Sequence, residues 1–210
     1  MFFVYGAYVL LLVSFGAAIM SLEILSSNLM SPYFGGSIFI WGSIISSFMV
    51  HLSLGYVLGG YLSKKNLSVF MMNVLLIGAS LWIIFTPQIH RAVCEVIMER
   101  ILDVRFGSLL AMNIIFFLPI TIMATVSPYI IGLVSCEDRK SGFSAGLVMF
   151  ISTVGSFIGT NVTAFYLVSL FPVSRIIQGL GLYLLCVSFF IMAMKIDHRL
   201  AQRISENILE

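Results

Sequence analysis

Charged residues in this chain occur in clusters, and between the clusters lie uninterrupted apolar runs of about 20 residues or more, the length at which a helix crosses the hydrocarbon core of a bilayer. Hydrophobic residues make up 60% of the 210 and charged residues only 10%, where a soluble chain carries about a quarter. The mean hydropathy is +1.09. In lipid every backbone polar group needs an internal partner, so runs of this kind form helices. The pattern predicts an all-α polytopic membrane protein with six spans, at about 2–30, 38–62, 67–89, 107–134, 143–170 and 176–194. One membrane domain then covers 1–194, and 195–210 form a short tail.

The first apolar run has no basic n-region before it and no cleavage site after it, so it reads as a retained span rather than a signal peptide. Pro32 is expected to close it, since the residue before proline disfavours helix. Between the third and fourth spans, Val93, Ile97, Ile101 and Val104 recur at helical spacing. They predict a short amphipathic helix over 88–105 lying on the membrane surface. Seven of the 11 Lys and Arg residues fall on the side of the two termini and four on the other. That bias places both termini in the cytoplasm of a cell (inner) membrane.

Several classes fall away. The net charge of +2 comes from basic residues at helix ends, with no basic stripe, so nucleic acid is not a partner. Cys94, Cys136 and Cys186 are scattered and imply neither a disulfide nor a metal site. No Cys–His, Ser–Lys or metal-ligand set converges at one depth, so no catalytic residues, metal or cofactor are assigned. Membrane lipid is the one certain neighbour.

Ser31-Pro32-Tyr33 recurs as Ser127-Pro128-Tyr129, and Gly55-xxx-Gly59-Gly60 recurs as Gly155-xxx-Gly159-Thr160. Three spans per unit would set the two copies in opposite orientations, a 3+3 inverted repeat of the kind found in secondary transporters. The glycines have a plainer reading as well. Small residues four apart let two helices approach closely, which assigns Gly55, Gly59, Gly60, Ser152, Gly155 and Gly159 to helix packing.

Four deep or end-of-span polar residues form the candidate substrate or proton site: Glu23, Asn28, His51 and Asn161. Glu23 lies about 10 Å inside the outer end of its helix, by the helical rise. An ionisable group at that depth is a functional hypothesis by default. It either binds a cation or proton, or is a buried polar tie to Ser26 or to Asn161, which is expected at similar depth. His51, mid-span, is either a hydrogen-bonded packing histidine or a relay with Glu23.

Leu22-Glu23 through Ser31-Pro32-Tyr33-Phe34-Gly35, Trp41-Gly42-Ser43 and Leu54-Gly55-Tyr56-Val57-Leu58-Gly59-Gly60 together resemble the membrane domain of the spermidine synthase-like fusion proteins. The second half, through Ala145-Gly146, Ile151-Ser152-Thr153-Val154-Gly155-Ser156 and Gly159-Thr160, keeps the same order. The resemblance implies a fold like half of a major facilitator, and a membrane region that works with an aminopropyltransferase-like domain. It also brings departures. Asn28 stands where the family commonly has arginine, and Ser63, Lys64 and Lys65 replace the acid and arginine of the facilitator loop. The family's soluble domain has no residues here to carry its chemistry. The expectation is therefore a membrane subunit that anchors or organises a separate partner chain. The alternative is a transporter of a small solute, such as a polyamine or other cation, working as a homodimer of six-helix units.

Overall fold

The structure is a computed structural model that describes residues 2–65, 68–135 and 141–194. The loop 137–140 and the tail 195–210 lie outside the described residues. Six helices are long and apolar enough to cross a membrane. Span 1 is Phe2–Phe34, span 2 Ile38–Lys64 and span 3 Val69–Arg100. Span 4 comprises Val104–Ala124 and Val126–Ser135. Span 5 runs Ser141–Val162, widens into a π-helical turn at Thr163–Leu167 and ends in Val168–Leu170. Span 6 is Val173–Ala193.

Two boundaries differ from the sequence expectation. Span 1 does not stop at Pro32 but runs through it to Phe34. Proline removes only the bond to the Asn28 carbonyl, and both residues are exposed at the helix end, where solvent can replace it. The stop comes instead from Gly35, at φ 82°, whose N–H bonds back to the Ser31 carbonyl at 3.0 Å. This is the left-handed helix end that glycine adopts without steric cost. Gly35→Ala is expected to cost about 1 kcal/mol, read as a small drop in thermal midpoint in detergent.

The second difference lies in 88–105. No separate surface helix forms there; span 3 continues to Arg100. Thr86, His90, Cys94 and Ile97 prolong its buried stripe, so these turns gain more by packing inward than by lying on lipid. His90 meets the Tyr33 ring edge-on at 6.0 Å, and Cys94 Sγ lies 4.0 Å from Met30 Sδ. At 1.5 Å per residue the helix is about 48 Å long, well beyond the ~30 Å core, so its last turns project past the membrane. Asp103 then caps span 4, accepting from the Arg105 N–H at 2.9 Å.

The spans pack crosswise: 1 against 5, 2 against 4 and 3 against 6, with 3 also touching 4 and 1 touching 6. Glycines set the closest approaches. A Cβ on Gly155 would lie 2.5 Å from the Val13 carbonyl oxygen, and one on Gly159 2.5 Å from Ala17 Cα. Between spans 2 and 4, Gly55 meets the Thr121 carbonyl, while Gly59 meets Thr125 and the Pro128 ring. Gly60 departs from the packing assignment: it is exposed, with nothing near its missing side chain. One residue past Gly59 is 100° further round the helix, which turns it away from span 4.

Candidate functional site

Beside Ile40, Ile44 and Phe48, span 2 buries a stripe at four-residue spacing: Ser43, Ser47, His51, Gly55 and Gly59. A four-residue stripe drifts slowly around a helix, so it follows a neighbour crossing at an angle. That neighbour is span 4, and the upper three positions meet it through polar groups. Ser108 Oγ donates to Ser43 Oγ at 3.0 Å. Asn113 Nδ2 donates to Ser47 Oγ at 3.3 Å and to the Leu109 carbonyl at 2.8 Å. Asn113 Oδ1 lies 3.0 Å from His51 Nε2.

These bonds fix the histidine. Both Asn113 amide hydrogens are used, so its oxygen must accept, and His51 Nε2 must carry the proton. His51 Nδ1 then presents a lone pair. It is fully buried and has no partner among the described residues. The ring packs edge-on against Phe117 at 5.4 Å and lies near Phe48 at 6.4 Å. The ring is hydrogen-bonded and packed, which either sequence reading of His51 allows. Its partner, Asn113, escaped the sequence reading, although an asparagine amid Leu109–Ile122 is a visible signal.

The seam opens inward onto a small cavity between spans 1, 2, 4 and 5, about 50 Å³ in volume and lined by Gly16, Met20, Leu52, Tyr56, Ser127 and Ser152 among others. That volume has room for roughly three or four waters. Ser127 Oγ donates to Ser152 Oγ at 3.2 Å, and Ser156 Oγ to the Gly16 carbonyl at 3.1 Å. Ser152 is thus a cavity residue as well as a packing one.

Glu23 is half-buried on span 1, and its carboxylate makes no hydrogen bond or ion pair with a described residue. Ser26 Oγ bonds the Glu23 main-chain carbonyl at 2.6 Å, not the side chain. The expected tie to Asn161 is absent. Asn161 Nδ2 donates to the Phe157 carbonyl of its own helix at 2.7 Å. The reason is angular: span 5 faces span 1 through Gly155, Gly159 and Thr163, and position 161 sits about half a turn from that face. Ser21 takes the place instead, accepting from Thr163 Oγ1 at 2.8 Å and donating to the Gly159 carbonyl at 3.2 Å. This contact stands where span 5 widens into its π-helical turn. Asn28 is exposed near the end of span 1, away from the seam.

No protein-family model matches the chain, and neither does any curated protein or solved structure. The site is therefore read from its own chemistry. Phe34 lies against Gly107, so eleven residues inward along each antiparallel span bring Glu23 level with Leu118. The histidine that packs on Phe117 shares that depth. One level of the bundle thus holds a carboxylate and an imidazole nitrogen with no partner among the described residues, and just below it begins a small, mainly apolar cavity to which Tyr56, Ser127, Ser152 and Ser156 contribute. Such a set can take up a proton or solvate a small cation.

Proposed function

We propose that this chain is an integral membrane subunit that anchors or organises a separate partner protein through the outer faces of spans 2 and 5. The observation that carries this reading is a second stripe on span 2. Gly42, Ser46, Ser53 and Gly60 are exposed, the last three at intervals of seven, with open space over both glycines. Ser46 and Ser53 bond the carbonyls of Gly42 and Met49 in their own helix, so the face presents little that is polar. Against another helix, a small-residue face gains close contact that lipid does not supply. Span 5 is similarly open, with 22% of its most apolar stretch buried against 61% in spans 1 and 4.

The crosswise pairing of spans fits a 3+3 inverted repeat, since exchanging 1–3 with 4–6 swaps 1–5 with 2–4 and 3–4 with 1–6 and leaves 3–6 unchanged. The two Ser-Pro-Tyr motifs sit differently within it. Pro128 packs on Gly59, whereas Pro32 is exposed and Gly159 meets Ala17, fifteen residues earlier. A repeat of this kind would therefore keep its helix pairing while its register has shifted. With Lys64 and Lys65 on the inner side, both termini face the cytoplasm of the inner membrane.

A cysteine-free variant carrying Ser53→Cys or Gly60→Cys tests the reading by cross-linking in native membranes. A cross-link to a distinct, stoichiometric polypeptide is the expected result. A solitary monodisperse chain, uncross-linked at both positions, overturns it. Glu23, which has no side-chain partner among the described residues, favours the transport alternative, in which a homodimer moves a small cation such as a polyamine. There, labelled polyamine enters proteoliposomes with the unaltered protein and not with Glu23→Gln.

A further inference from the structure

The closest helix crossings come in two sets that repeat at a constant offset. Gly55 meets the Thr121 carbonyl and Gly155 the Val13 carbonyl; Gly59 meets the Thr125 carbonyl and Gly159 the Ala17 carbonyl. Matching positions are thus 100 apart on spans 2 and 5 and 108 apart on spans 1 and 4. The same two offsets run through the lining of the cavity between these four spans. On spans 2 and 5, Leu52 corresponds to Ser152 and Tyr56 to Ser156. On spans 1 and 4, Phe15 corresponds to Met123, Gly16 to Ala124 and Ile19 to Ser127. The cavity therefore stands where equivalent positions from the two halves of the chain meet. Membrane proteins built from repeats hold their ligands at such a junction.

The two halves line it with different chemistry: where the first supplies Ile19 and Leu52, the second supplies Ser127 and Ser152. Ser152 Oγ accepts from Ser127, and Ser156 Oγ donates to the Gly16 carbonyl. That leaves Ser152 a hydrogen to donate and Ser156 lone pairs to accept with. Both oxygens lie beside Gly16, each 3.2 Å from the point where its Cβ would stand. No charged residue is among those lining the cavity, and Glu23 is seven residues, about 10 Å, from Gly16 along span 1. An ion brought here would give up its hydration without meeting a counter-charge. We propose that the cavity is a binding site for a small uncharged alcohol. Its hydroxyl accepts from Ser152 and donates to Ser156, and its carbon chain lies against Ile19 and Leu52. A volume of about 50 Å³, against about 150 Å³ for a cavity that takes benzene, sets the size at about four non-hydrogen atoms. Spans 2 and 5 do not pack on each other, so the ligand enters between them from the bilayer, past Tyr56, which is 49% exposed. This site goes beyond the anchoring role and holds whether or not a partner is bound. It is separate from Glu23, and so from the cation of the transport alternative.

The test is carbon-13 spectroscopy of protein labelled at the methionine methyls, in nanodiscs, during titration with 1-propanol. Met20 and Met123 line the cavity, and Met149 is exposed on span 5; each signal is assigned by its loss on substitution with leucine. The Met20 and Met123 signals should shift to a plateau, while Met149 shifts in proportion to the alcohol dissolved in the lipid. Propylammonium, of the same length but charged, should produce no plateau. Ser152→Ala should raise the concentration at half-shift about tenfold, the equivalent of one lost hydrogen bond. Leu52→Phe, which fills the apolar side, should abolish the plateau. In the unaltered protein, Met20 and Met123 signals that only follow Met149 overturn the proposal, and this reading needs no variant. So does a plateau that propylammonium reaches equally well, or a half-shift concentration that Ser152→Ala leaves unaltered.

Discussion

Replacing Gly159 with leucine is expected to drive spans 1 and 5 apart and abolish the folded bundle. Even a Cβ at this position would overlap the Ala17 main chain, and one at Gly155 would stand 2.6 Å from Val13 Cα. The colliding atoms are backbone, so no rotamer change relieves them; one helix has to move as a body. That movement would break the Thr163–Ser21 and Ser156–Gly16 bonds as well, leaving buried hydroxyls without partners. Overpacking of this kind costs about 1–3 kcal/mol for a single methyl group and more for a larger side chain. Gly159→Ala should therefore show a clear fall in thermal midpoint, and Gly159→Leu a loss of the monodisperse peak in size-exclusion chromatography. Gly60→Leu is the matched control. Nothing lies near that glycine, so stability should change by less than about 0.5 kcal/mol while any partner bound to the outer face of span 2 is lost. The pair separates glycines that hold the bundle together from one that leaves a face open.

The contrast between Gly59 and Gly60 also shows what was legible in the sequence. The spacing of apolar runs announced six helices, and the four-residue intervals Gly55–Gly59 and Gly155–Gly159 announced close packing, because both patterns follow from helix geometry alone. Which neighbour each face would meet did not follow. Asn161 and Glu23 looked like partners by depth, but hydrogen bonding also needs the right angle round the helix, and the close packing of Gly155 and Gly159 on span 1 turns Asn161 away. The extension of span 3 to Arg100 was hidden for a related reason. Arg91, Glu95, Glu99 and Arg100 made 88–105 look like a separate surface helix, whereas His90, Cys94 and Ile97 continue a buried stripe whose value depends on Met30, Tyr33 and Phe34 being opposite. Asn113 was overlooked because a single amide in an apolar span has no motif; its importance comes from lying across the seam from His51 and Ser47.

That seam yields the second large effect, and a way to measure it. Asn113→Leu should leave His51 Nε2–H and Ser47 Oγ buried without the partners they now have. The change is expected to destabilise the protein by about 2–4 kcal/mol, the desolvation cost of the abandoned groups. His51→Phe should cost about 1–3 kcal/mol, because Asn113 Oδ1 is then the atom stranded. In the double variant no donor faces a missing acceptor across this pair, and a phenylalanine and a leucine fill the space between Phe48 and Phe117. Its loss should accordingly fall short of the sum of the two singles by 1 kcal/mol or more, on the order of couplings within one hydrogen-bond network. Chemical denaturation of the four proteins in one detergent gives the coupling directly. Additive losses would mean that the imidazole and the amide do not act on each other, and Asn113 would then have no hold on the tautomer of His51.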